Sequence, residues 1–214
     1  MVKTKRHVVL WIAIGLLGGV QACSSDGSGG GAAGGGGASN AALAEACSTY
    51  CSKGSGLACV DVPECSADCL DLGTGVPSCT AKLVTALACV AASGTIACDP
   101  LGHIDVTGCA QERGDVDTCM EVASEFACTG YCQKYLALPC VPSGMDQATC
   151  ESQCHQILGL VCPDESLIAY TCAADRGSFS CDSDGKSAVT GCETEVQKLQ
   201  DCASGSVVTP DGGT

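Results

Sequence analysis

Apolar residues return at three- and four-residue intervals through most of the chain. Leu43, Ala46, Cys47, Tyr50 and Cys51 make the first such stripe, with Asn40 placed to cap its start and Gly54 to end it. A second short helix is signalled by Pro63 and Glu64 at its start and Gly73 after it. A third runs from about Ser78 to Ser93, carrying Cys79, Leu83, Leu87 and Cys89. The pattern then changes: Thr95 to Cys98 is short and β-branched, and Asp99-Pro100-Leu101-Gly102 follows, which predicts a small hairpin or loop. The last helix of this set starts near Thr107 and carries Cys109 to Cys119, weakened by Gly114.

The same order then repeats. Gaps between successive cysteines from Cys47 to Cys119 are 4, 8, 6, 4, 10, 10, 9, 11 and 10; from Cys128 to Cys202 they are 4, 8, 10, 4, 8, 10, 9, 11 and 10. Other residues agree in step: Tyr50 with Tyr131, Lys53 with Lys134, Leu57 with Leu138, Gly94 with Gly177, Asp99 with Asp182, and Val106-Thr107-Gly108 with Val189-Thr190-Gly191. The chain is therefore a duplication. In the second copy Pro163-Asp164-Glu165 opens the third helix, and Thr190 with Glu193 predicts a capping box. Met120 to Ala127, between the copies, favours helix, so the last helix of module one is expected to run nearly continuously into the first of module two. The expected fold is mainly α: two tandem disulfide-stapled helical modules built of helical hairpins, with short hairpin or loop segments. Its divisions are 1–22 a signal peptide, 23–40 a Gly- and Ser-rich low-complexity tether, 41–121 and 122–203 the cysteine-rich modules, and 204–214 a disordered tail.

The N-terminus sets the compartment. Lys3, Lys5 and Arg6 precede an apolar run from Val8 to Val20, too short to span a bilayer. The run ends Val20-Gln21-Ala22-Cys23, which resembles the lipobox of bacterial lipoproteins. The resemblance implies cleavage before Cys23, its acylation (palmitate) and a membrane anchor; Ser24 rather than Asp at the next position implies the outer membrane. Cysteine parity agrees, since 21 cysteines less Cys23 leave 20, ten per module. An even set at matched spacing in an exported chain points to disulfides. The tether from Ser24 to Asn40 has a reach of roughly 20 to 25 Å.

Charge and composition remove other classes. Without Lys3, Lys5 and Arg6 the chain keeps 7 basic residues against 24 acidic ones, a net charge of −17, which repels nucleic-acid backbones. With Trp11 in the signal, the mature aromatics are Tyr50, Phe126, Tyr131, Tyr135, Tyr170 and Phe179, so cross-links must replace part of an ordinary core. No CxxC occurs, against thioredoxin-type redox sites and zinc knuckles. His103 and His155 are not equivalent between copies, which leaves no duplicated catalytic histidine, and both read as exposed polar residues. Gly29 to Gly34 matches GxGxxG without a preceding strand. Asp182-Ser183-Asp184-Gly185 reads as a turn rather than a calcium loop, because Lys186 and Ser187 stand where such a loop wants an acid and a glycine. No catalytic set, cofactor or metal site is expected.

Each module opens with paired CxxxC units and closes with paired cysteines ten residues apart. The first half resembles the twin-CxxxC helical hairpins of small mitochondrial chaperones, and the second resembles twin Cys-x9-Cys hairpins. In an antiparallel hairpin of that kind the inner cysteines face each other and so do the outer ones. The resemblance thus implies Cys51 with Cys65, Cys47 with Cys69, Cys89 with Cys109 and Cys79 with Cys119, leaving Cys59 with Cys98. In module two it implies Cys132 with Cys150, Cys128 with Cys154, Cys172 with Cys192, Cys162 with Cys202, and Cys140 with Cys181. Counting alone leaves about 945 pairings per module open. A ten-residue spacing is also roughly 80° out of helical phase, so the second hairpin is expected to cross at an angle. The architecture resembles the cysteine-rich, Gly-linked lipoproteins of myxobacteria. It implies an envelope lipoprotein of structural or protein-interaction role, its protein partner unspecified. The alternative is a metal-binding or redox-buffering thiol protein, and a secreted-type enzyme ranks last.

Overall fold

The computed structural model describes residues 39–204 except 101, 102 and 161. The signal peptide, Cys23, almost all of the tether and most of the tail lie outside the described residues. The chain within them is mainly helical, with two short hairpins.

Module one opens with α1 (Asn40–Lys53) and α2 (Val62–Gly75). The cap of α1 is Ser39, whose Oγ accepts from Ala42 N–H at 3.2 Å, and Asn40 is the first helical residue. Asp61 caps α2 by accepting from Glu64 N–H at 3.2 Å, with Pro63 in the first turn. Gly73 does not end α2; it lies inside it, where a Cβ would stand 2.6 Å from Leu43 Cδ2. The glycine is spent on close packing of α1 against α2 rather than on termination. A 3-10 turn (Pro77–Cys79) leads into α3 (Thr80–Ser93), which buries Leu83, Ala86, Leu87 and Val90 against α1.

Strands β1 (Thr95–Cys98) and β2 (Ile104–Thr107) pair antiparallel, with Thr95 opposite Thr107 and Cys98 opposite Ile104. Thr107 thus closes a strand, and the next helix begins three residues later. This is α4 (Ala110–Leu136), 27 residues long and about 40 Å from end to end. It carries Gly114 and passes unbroken through the 121/122 division. One helix therefore ends module one and begins module two.

Module two continues with α5 (Gln147–Leu160), α6 (Pro163–Asp175), β3 (Ser178–Cys181), β4 (Ser187–Thr190) and α7 (Glu193–Ala203). The second hairpin repeats the register of the first, Ser178 opposite Thr190 and Cys181 opposite Ser187. The capping box does not form. Thr190 closes β4 and donates to Ser178 O, while Glu193 Oε1 accepts from Gly191 N–H at 2.8 Å. The strand claims the threonine, so the glutamate satisfies the turn instead.

Two cores result. One joins α1, α2, α3 and Val116 of α4. The other takes Leu72, Val76 and Cys79 from module one together with Ala123, Ala127, Leu158 and Leu167 around the cysteines of α4 and α5. The second core crosses the module boundary, so the two copies pack as one body.

Candidate functional site

The dominant chemistry of the described residues is sulfur. Cys47 bonds to Cys69, Cys51 to Cys65, Cys59 to Cys98, Cys79 to Cys119 and Cys89 to Cys109. In module two Cys128 bonds to Cys154, Cys132 to Cys150, Cys140 to Cys181, Cys162 to Cys202 and Cys172 to Cys192. These are the partners that the hairpin resemblance implies, and every bond stays within its module. Ten disulfides mark an oxidising, non-cytoplasmic location.

The ten-residue phase problem is solved at the helix ends. Cys79 and Cys162 precede α3 and α6, and Cys109 and Cys192 precede α4 and α7. Each such bond joins one capping cysteine to one within the helix body, so the pair need not share a helical phase. Cys109 and Cys162 adopt left-handed backbone, φ 52° and 48°, which turns the chain sharply at the start of each helix.

Three carboxylates stand beside disulfides: Glu112 by Cys89 and Cys109, Glu165 by Cys162 and Cys202, and Glu195 by Cys172 and Cys192. A sulfur held in a disulfide is not a thiolate, and thiolates are what soft metals bind. Neither histidine is fully exposed. His103 is half-buried with Nδ1 3.0 Å from Asp99 Oδ2, and His155 Nε2 lies 3.4 Å from Glu125 Oε2. The turn after β3 uses its aspartate internally, since Asp182 Oδ1 accepts from Asp184 N–H and Lys186 N–H at 2.9 and 2.8 Å. Asp99 does the same for His103 N–H at 2.7 Å. Both copies thus fold their turn around one aspartate.

The module junction holds a group that periodicity and spacing do not single out. A cavity of about 30 Å³ is lined by Tyr50, Leu72 and Leu83, with Asp68 of α2 and Asp164 of α6 beside them. It has room for about one water molecule and none for an organic substrate. Tyr50 is buried, its hydroxyl has no hydrogen-bond partner among the described residues, and burial pushes it up to about 12 although Arg113 pulls the other way. Burial also pushes Asp164 up to about 6, helped by Glu165. Asp68 is pushed up to about 6, first by burial and then by Glu64, Glu165, Asp71 and Asp164. Only the folded structure reveals this acid group, because its members come from different modules.

Apolar side chains also reach solvent on α4 and α5: Val122, Phe126, Ile157 and Leu160. Among the described residues no single helix is long and apolar enough to cross a membrane. Comparison with protein-family models, with curated proteins and with solved structures finds no match.

Proposed function

We propose that this chain is a lipid-anchored, non-enzymatic protein of the cell envelope, serving structure or protein interaction through a rigid two-module body carried on a Gly- and Ser-rich tether. One observation supports it above others. All 20 cysteines from Cys47 to Cys202 are consumed by disulfides within the modules, which leaves Cys23 as the odd sulfur at the lipobox-like site. A cross-linked body with a junction cavity of about 30 Å³ offers surfaces rather than a substrate pocket. The membrane enters as partner through the acyl chains on Cys23, and the net charge of the mature chain keeps nucleic acid away.

Intact mass of the mature protein tests both halves of the proposal. No alkylation before reduction, twenty alkylated sites after it, and a mass increment of acyl chains at the N-terminus are expected. Several thiols free before reduction, with bound metal, would instead establish a thiol buffer. Cys23→Ser should leave the chain either unprocessed, with its signal intact, or soluble, and a variant that is cleaved yet still held in the membrane fraction would overturn the anchor.

A further inference from the structure

The two modules meet where module two lies over the outer face of α2. A Cβ placed on Gly75 would stand 2.6 Å from Cγ1 of Ile168 on α6, so the helices approach as closely as a glycine allows. Leu72 is left only 7% exposed. Asp68 shares the junction cavity with Asp164, and Lys198 of α7 reaches Asp71 at 2.6 Å. Leu72 and Gly75 are thus covered by module two around Ile168, while Asp68 and Asp71 lie at the rim of the contact beside Asp164 and Lys198, still partly open to solvent.

Helix α5 is the counterpart of α2. Both have 14 residues, with cysteines at the fourth and eighth. Gln153, Gln156, Ile157 and Leu160 therefore stand where Asp68, Asp71, Leu72 and Gly75 stand in module one. Among the described residues nothing covers this face: Ile157 is 42% and Leu160 79% exposed. Extending the register of Cys128–Cys154 and Cys132–Cys150 sets Val122 opposite Leu160, which widens the apolar patch. The covering surface has its counterpart too. Counted from the matching cysteines, Ala81 and Thr85 of α3 and Asp115 of α4 stand where Asp164, Ile168 and Lys198 do, and all three are exposed. One molecule therefore carries both halves of its own module junction a second time, uncovered.

Those open halves suit each other. Gly75 against Ile168 becomes Leu160 against Thr85, so the large side chain changes sides. Asp68 against Asp164 becomes Gln153 against Ala81, which removes the carboxyl pair. Asp71 against Lys198 becomes Gln156 against Asp115, an amide able to donate to a carboxylate. Exposed Lys82 replaces Glu165. We propose that the α5 face of one copy receives the α3 and α4 face of a second copy, continuing the repeat head to tail. Because the surfaces differ, the contact is heterologous, and each added copy leaves one half open for the next. The association stands on the folded body and does not require the lipid anchor.

Sedimentation of the exported full chain carrying Cys23→Ser, over a range of concentrations, tests this. The mass is expected to rise with concentration beyond a dimer, and Leu160→Glu and Thr85→Glu should each abolish the rise. Mixed together, the two variants should form a dimer that grows no further, because each supplies one intact face. Both substitutions are at exposed positions, and circular dichroism with the twenty-cysteine mass shows that the fold survives. Loss with Leu160→Glu but not with Thr85→Glu would mean a two-fold contact and overturn the head-to-tail assignment. A monomer at every concentration would overturn it too, including one that associates only after removal of residues 205–214, which would show that the chain covers its own face. None of these outcomes alters the mass test of the anchored cystine body.

Discussion

Lys53 reaches across module one to the end of α3, its Nζ donating to the carbonyl of Val90 at 2.7 Å and of Ala91 at 2.9 Å. Its repeat partner Lys134 does the same in module two, donating to Ala173 O and Gly177 O at 3.1 Å. A cation set on the last carbonyls of a helix both satisfies them and opposes the helix dipole. Lys53→Met should therefore cost about 1 kcal/mol, below the range for a fully buried charged hydrogen bond because the amine is partly solvated. Denaturant midpoints and amide exchange at the end of α3 read this directly. Unchanged exchange there would show that the contact carries no energy.

Stability should rise as pH falls toward 5. Asp68 and Asp164 are both raised to about 6 in the folded chain, so folding favours their protonated forms. That contribution is complete below the ordinary carboxylate range near 4 and is lost as pH climbs through 6. Glu64, Asp71 and Glu165 add repulsion, and Lys198 relieves part of it at Asp71. Asp68→Asn should raise the melting temperature at pH 7 and flatten its slope between pH 5 and 7. A wild-type melting temperature that rises steadily from pH 5 to pH 7 would contradict the assignment.

Tyr50→Phe should leave the fold intact and stabilise it by about 1 kcal/mol, since a buried hydroxyl without a partner costs roughly that much or more. A loss of stability would mean that the hydroxyl is satisfied through a water in the junction cavity. Equilibrium unfolding of the two proteins under one buffer decides the sign.

Removing single disulfides should follow loop length. Cys59–Cys98 spans 39 residues and Cys51–Cys65 spans 14. Chain-entropy arithmetic gives about 4 kcal/mol for the first and about 3 kcal/mol for the second. Paired serine variants compared by guanidinium midpoint should keep that order. The reverse order would assign the CxxxC bonds a packing role beyond chain entropy.

Much of this was legible in the chain because the cysteines fix both spacing and register. Leu43, Cys47 and Tyr50 share a helical face, and the buried side of α1 follows that face. Gly73 misleads because a glycine looks the same whether it ends a helix or lets Leu43 press against it. Thr190 misleads because a threonine serves a strand as well as a cap, and β4 reaches it first. The acid group at the junction could not be read, since Asp68 and Asp164 lie 96 positions apart and meet only through packing. Nor could the bare face of α5, which is recognisable only once α2 is seen covered.

The disulfide pattern also fixes how the body responds to a pull on its tether. From Cys47 to Cys202 the shortest covalent route crosses Cys47–Cys69, Cys79–Cys119, Cys128–Cys154 and Cys162–Cys202. Only the connecting stretches of 10, 9 and 8 residues lie on that route. Even fully unravelled, with sulfur intact, the body could lengthen to about 120 Å, against more than 500 Å for the reduced chain. Under load it would act as a short strap of fixed length, and its central extensible stretch is the α4 segment from Cys119 to Cys128 where the two modules join.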